Sequence, residues 1–242
     1  MPAFALPSPS PLVAVYCDQG AWPAGREAVE HMLTAHHQPW QRVNAHTVNT
    51  GALKKFDLFW LPGGWSGDYW SRLSTQGMEN LRQFVRQGGH FVGICAGAFF
   101  ASTILLWEGE SFDYPIGLFA GQTAGPIAEI APWPRCAMTA VNLDPRHPLG
   151  VALSSTRQQL YYGGPRFVPH RDQPVEVVAT YAQTGEPAAI AFQYGSGRVF
   201  LGGLHFETGP DCVGREDSDV GVMPDPKSDW EFGWALLDWL LE

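Results

Sequence analysis

Residues 90–98, His-Phe-Val-Gly-Ile-Cys-Ala-Gly-Ala, place a buried-strand segment directly before small residues that lead into the helix-compatible run Phe99-Phe100-Ala101-Ser102. The order reads as strand, sharp turn, helix. A Gly-x-Cys-x-Gly turn at such a junction forces one residue into a strained conformation whose side chain stands clear of the backbone. Here that residue is Cys95. A thiol at the first turn of a helix faces unpaired backbone N–H groups, which favours its thiolate. The alternative is a buried, inert cysteine at a strand end.

The flanking sequence predicts what this junction sits in. Residues 12–17 are an apolar run of the buried-strand type, residues 25–37 suit a helix, and residues 41–47 and 56–61 read as two further strands. The last of these ends in Pro62-Gly63-Gly64-Trp65. Met78, Leu81, Phe84 and Val85 then recur at helical spacing until Gly88-Gly89 stops them. Strands alternating with helices over short connections predict a doubly wound α/β fold with a mainly parallel sheet, whose ligand edge lies at the carboxyl ends of the strands. From Tyr114 onward, short strands at 116–120, 135–141, 159–162, 175–181, 188–194 and 199–205 predict antiparallel or mixed additions to that sheet. Trp230, Trp234, Leu237 and Leu241 mark one stripe of a packing helix over 229–241. Residues 1–11, broken by prolines and without a basic stretch, read as a flexible leader, and residues 12–242 as one domain.

Composition narrows the function. Apolar residues make up 45% of the 242, with 10 Trp and 14 Phe, which predicts a filled interior and an aromatic-lined pocket. A net charge of -9 without a Lys/Arg cluster excludes nucleic acid as a partner and fits a neutral or cationic small molecule. Cys17, Cys95, Cys136 and Cys212 show neither zinc-knuckle nor CxxC spacing. No metal or cofactor is expected, since Gly195-x-Gly197 lacks the third glycine of a dinucleotide loop. The adjoining His36 and His37 are expected to meet solvent. No apolar run approaches the ~20 residues that span a bilayer. A soluble, cytoplasmic protein without a membrane partner is the expectation.

His205-Phe206-Glu207 supplies what a thiol nucleophile needs: a base for its proton and an acceptor that orients the base. A histidine satisfied within a turn beside a solvent-facing glutamate is the plainer reading. Acyl transfer also needs N–H donors near the sulfur, available from Ala96 and from the Gly63-Gly64 turn. A simple tight turn accounts for Gly63 and Gly64 equally well. Asp18, after the first strand, is a candidate recognition group on the ligand edge, and Cys17 reads as core.

Leu61-Pro62-Gly63-Gly64, Gly93 to Ala98 and His205-Phe206-Glu207, in that order, resemble the class I glutamine amidotransferase-like superfamily. The resemblance implies a flavodoxin-like fold and a Cys95-His205-Glu207 triad. More narrowly, residues 93–100, residues 121–126 and Tyr161-Tyr162-Gly163-Gly164-Pro165-Arg166-Phe167 resemble the amidotransferase-like N-terminal domain of biotin-protein ligases, over nearly the whole chain. It suggests that Tyr161, Tyr162, Gly163 and Gly164 close over the site, although a structural turn explains them too. The Gly-Arg-Gly-Arg-type motif of the ligase's catalytic domain is absent, so the chain is not itself a biotin ligase. The expected function is a stand-alone hydrolase or amidotransferase-like enzyme acting on an amide or related acyl bond of a small molecule. Two alternatives stand beside it: a ligand-binding or regulatory module without turnover, and a cysteine-based redox or glyoxalase-like protein with Asp18 beside the thiol. Substrate identity and oligomeric state stay open.

Overall fold

The computed structural model describes residues 10–208 and 229–242. Residues 1–9 of the leader expected over 1–11, and Cys212, lie outside the described residues. In chain order the elements are β1 (Val13–Tyr16), α1 (Pro23–Ala35), β2 (Trp40–Val43), α2 (Ala45–Asn49), β3 (Leu58–Leu61), α3 (Ser66–Arg72), α4 (Thr75–Arg86), β4 (His90–Ile94) and α5 (Ala96–Ala101). There follow β5 (Ser102–Trp107), β6 (Glu110–Asp113), β7 (Phe119–Gly125), β8 (Ala137–Leu143), α6 (Pro148–Ala152), β9 (Thr156–Tyr161), β10 (Arg166–Pro169), β11 (Glu176–Tyr181), β12 (Pro187–Tyr194), β13 (Gly197–Gly202) and α7 (Trp230–Leu241).

Among the described residues, one sheet runs in the order β2-β1-β3-β4-β13-β12-β11-β8-β9. Its first five strands are parallel and the rest antiparallel. This is the doubly wound α/β plan with antiparallel additions. The runs at 13–16 and 58–61 are buried throughout because helices cover both faces, so neither strand needs to alternate. Strand β13 is the element that assembles the ligand edge. It pairs with β4 in parallel, Gly202 opposite Ile94, and so carries the residues after position 202 to the turn at Cys95.

Four departures from the sequence reading have physical causes. The strand expected over 41–47 stops at Val43, because the Asn44 side chain accepts a hydrogen bond from the Thr47 N–H and caps α2. Strands β5, β6, β7 and β10 do not complete the main sheet. They form a separate four-stranded sheet in the order β10-β7-β5-β6, which begins where α5 ends. The strand expected over 116–120 instead covers Phe119–Gly125, inside that second sheet. In α7 the buried side is Phe232, Leu236, Leu237 and Leu240, while Trp230, Trp234 and Leu241 flank it half-buried.

Helix α5 lies against the end of β3 at backbone distance. A Cβ on Gly97 would stand 2.2 Å from the Leu61 carbonyl oxygen, whereas one on Gly67 would meet nothing within 4 Å. Overpacking a tight contact costs about 1–3 kcal/mol, and a backbone oxygen cannot rotate aside. Gly97→Ala should therefore lower the urea-unfolding free energy by about 2–3 kcal/mol, and Gly67→Ala should change it by less than about 1 kcal/mol. Equal losses for the two would contradict this packing.

Candidate active site

Cys95 occupies the turn between β4 and α5 with φ 50 and ψ -107, a positive-φ conformation that a side chain rarely adopts. Its N–H donates to the Gly202 carbonyl at 2.8 Å, which ties the turn to β13. Gly93 and Gly97 have backbone or ring atoms where a Cβ would go, so both glycines of the motif are required by space. Helix α5 has six residues, so its aligned dipole is short, and its contribution at Cys95 comes chiefly from the unpaired N–H groups of the first turn.

His205 does not end the last strand, as the sequence suggested. It lies three residues beyond β13, held by its own N–H on the Leu160 carbonyl at 2.9 Å. Phe206 is buried against Trp60, Phe200 and Phe232, which anchors the segment between His205 and Glu207. His205 Nδ1 and Glu207 Oε1 stand 2.8 Å apart, both side chains essentially inaccessible to water. Burial alone would pull the His205 pKa down. Burial is the largest single influence, but the Glu207 carboxylate and the adjacent Cys95 side chain together outweigh it and raise the pKa to about 10. Nε2 completes no hydrogen bond among the described residues. The Cys95 Sγ instead donates to the Tyr162 carbonyl at 3.5 Å.

The glycine turn fits between these groups. A Cβ on Gly63 would lie 2.6 Å from His205 Cε1 and 3.5 Å from Cys95 Cβ, so the bare Gly63 makes room for imidazole and thiol to converge. Its carbonyl accepts from Trp22 N–H at 2.8 Å and from the Tyr69 hydroxyl at 3.1 Å. The planar trans peptide therefore sends the Gly64 N–H the other way, where it has no partner among the described residues. Gly64 itself has φ +144 and approaches Gly20, whose carbonyl oxygen a Cβ would meet at 1.8 Å.

Cys95, Ala96, Gly64, Tyr162, Gly163 and His205 all line one cavity of about 550 Å³. Other expected site residues do not. Asp18 accepts from the backbone N–H groups of Gln19 and Ala45 and pairs with Arg72 at 3.5 Å, so it fastens α2 and α3 to the end of β1. Tyr161 is buried and turns its hydroxyl onto the Gly164 carbonyl and the Ile127 N–H. Gly164 packs against Gly203, where a Cβ would come within 2.0 Å of a carbonyl oxygen. The pair His36 and His37 is split: His36 stacks on Trp234 and meets Asp238 at 3.1 Å, and His37 is exposed. Among the described residues no group of three or more His, Cys, Asp or Glu could hold a metal ion, and no helix is long and apolar enough to cross a membrane.

Individual sequence positions did not reveal Trp22, Trp65, Trp107 and Trp133, which line the same cavity from separate loops and one strand end. Their only signal was the abundance of tryptophan. Trp22 stands edge-on to the His205 ring at 5.2 Å and to Tyr162 at 5.7 Å, and Trp133 stacks on Tyr162 at 5.2 Å.

Comparison with known proteins gives consistent relatives. The family model described as "Biotin-protein ligase, N terminal" matches residues 12–225. The biotin-protein ligase of Schizosaccharomyces pombe is 28% identical over 166 residues, 62% of this chain and 25% of that protein, so the chain spans a quarter of that relative's length. An uncharacterized protein of Chlamydia muridarum is 28% identical over 230 residues, covering 86% of this chain and 85% of the relative. Among solved structures, a glutamine amidotransferase of Thermotoga maritima has a TM-score of 0.55 at 11% identity, covering 85% of this chain and 80% of its own. A β-galactosidase of Rahnella sp. R3 also has a TM-score of 0.55, at 14% identity, over 95% of this chain and 31% of its own. The same fold thus occurs in a glycosidase, and these likenesses show architecture without chemistry.

The His205 pKa carries a pH signature. Raised from 6.5 to about 10, it contributes stability that is fully present below pH 6.5 and is lost as pH rises through 10. Glu207→Gln should remove the share of that contribution that comes from Glu207. Its destabilisation in urea titrations should therefore be largest below pH 6.5 and shrink steadily up to pH 10. A constant difference across that range would mean the imidazole is neutral throughout.

Proposed function

The chain belongs to the biotin-protein ligase N-terminal family, and from its site we propose a cysteine hydrolase or amidotransferase-like enzyme acting on an amide or related acyl bond of a small molecule. One observation carries this reading: the buried His205 spends Nδ1 on Glu207 at 2.8 Å and leaves Nε2 without a partner among the described residues, beside a thiol held in a strained turn. In the proposed reaction the Cys95 sulfur, its proton already carried by the His205 imidazolium, attacks the carbonyl carbon. The oxyanion that forms is held by the Gly64 and Ala96 N–H groups. The imidazolium then returns the proton to the departing amine, leaving a thioester on Cys95. Water, deprotonated by the same imidazole, releases the acid. Glu207 fixes the ring's orientation and stabilises its charged form.

A second reading has its own observation. The Cys95 Sγ donates to the Tyr162 carbonyl at 3.5 Å. A thiol resting on that carbonyl suits a ligand-binding or regulatory module that kept the pocket without turnover.

The two readings separate in one experiment, a panel of small amides and activated esters incubated with the protein. On the enzymatic reading, turnover disappears in Cys95→Ser, and Glu207→Gln slows it by about 10²–10⁴ without abolishing it. On the binding reading, a ligand binds wild type and Cys95→Ser alike and leaves unchanged. Turnover that survives Cys95→Ser would contradict the proposed mechanism.

A further inference from the structure

The cavity over Cys95 has a composition that selects its substrate, and the argument rests on the reading of Cys95 as the nucleophile. The rings of Trp65, Trp107 and Trp133 stand 5.4, 5.5 and 6.4 Å apart, with interplanar angles of 71, 78 and 63 degrees. At those separations the three rings occupy the space between them, and a cation has no room at their centre. They form a wall, not a cage.

The wall continues to an exposed apolar mouth. Trp65, Trp70 and Phe112 are 56%, 43% and 41% exposed, and all three line this cavity. Large aromatic surface concentrated around one opening marks a site for an apolar ligand. The polar groups in the lining are few. The Ser66 and Tyr114 hydroxyls bond each other at 3.0 Å, and Asp68 is the only carboxylate among the described lining residues. Among the described residues the lining holds no Lys or Arg, and the charge of the one imidazole, His205, is paired with Glu207 through Nδ1. A free amino acid such as glutamine would bring an α-carboxylate beside Asp68 with no Lys or Arg among the described lining residues to receive it, in a chain of net charge -9.

We propose that the substrate is an uncharged amide or ester bearing a flat apolar ring, which packs on the Trp65-Trp107-Trp133 wall while its carbonyl reaches Cys95. Among the described residues no Lys or Arg faces the lining, so free glutamine and other α-carboxylates are expected to be poor substrates.

The test is the alkylation rate of Cys95, read by peptide mass analysis and divided by the rate of each probe with free N-acetylcysteine. Four probes are compared: chloroacetamide, N-benzylchloroacetamide, N-chloroacetylglycine, and the chloroacetamide of 2-trimethylammonioethylamine. The expected result is a normalised rate at least tenfold higher for the benzyl probe than for chloroacetamide, saturating with concentration, and a rate below chloroacetamide for the carboxylate probe. Trp65→Ala, at a side chain exposed enough to be replaced without unfolding, should lose most of the benzyl preference, and Trp65→Phe should keep part of it. Equal normalised rates for all probes would overturn the substrate class while leaving Cys95 a nucleophile, as would fastest reaction with the carboxylate or the trimethylammonium probe. A Cys95 inert to chloroacetamide itself would overturn the nucleophile reading and the substrate class together.

Discussion

The backbone of Cys95, held at φ 50 and ψ -107 where β4 turns into α5, is the constraint on which the rest of the site depends. A non-glycine residue keeps such a conformation only when its surroundings leave it no other. Here they do so from three sides. Gly97 lets α5 approach the Leu61 carbonyl, Gly93 leaves space for that same turn, and the Gly202 carbonyl receives the Cys95 N–H. The strain lifts the thiol off the sheet and into the cavity. Because the Gly202 contact belongs to β13, it also fixes how far His205 lies from the sulfur.

The opposing half of the site is built from burial. Trp60, Phe200 and Phe232 hold Phe206 in the core. A charged pair with no solvent is costly unless its geometry is good, and the 2.8 Å contact between Nδ1 and Oε1 meets that requirement. Glu207 Oε2 and His205 Nε2 are left without partners among the described residues. Such unsatisfied buried atoms destabilise a purely structural pair; on the proposed reading, the open Nε2 is the position that exchanges a proton with thiol and substrate.

Much of this was legible in the sequence because it is local. Runs such as Val13–Tyr16 and Leu58–Leu61 are apolar at every position, which only a strand covered on both faces tolerates. The elbow glycines and the His-x-Glu pair are likewise short-range patterns. The second sheet was not legible. Strand β7, Phe-Ala-Gly-Gln-Thr-Ala-Gly, is poor in β-branched residues, and β5 starts at the residue after α5 ends, with no turn signal between them. Asp18 illustrates a different limit: a carboxylate that fastens backbone N–H groups and one that recognises a ligand look alike until its partners are known. The tryptophan wall depends on contacts between positions 65, 107 and 133, which no periodicity links.

The central claim is that Cys95 accepts an acyl group with His205 as its proton partner. Its most direct test is acid-quenched peptide mass analysis of the protein during a single turnover with p-nitrophenyl acetate. The account expects an acetyl group on the Cys95 peptide that forms and decays within the turnover, and that forms much more slowly in His205→Ala. An acetyl group found only elsewhere, or formed on Cys95 at the same rate without His205, would contradict it.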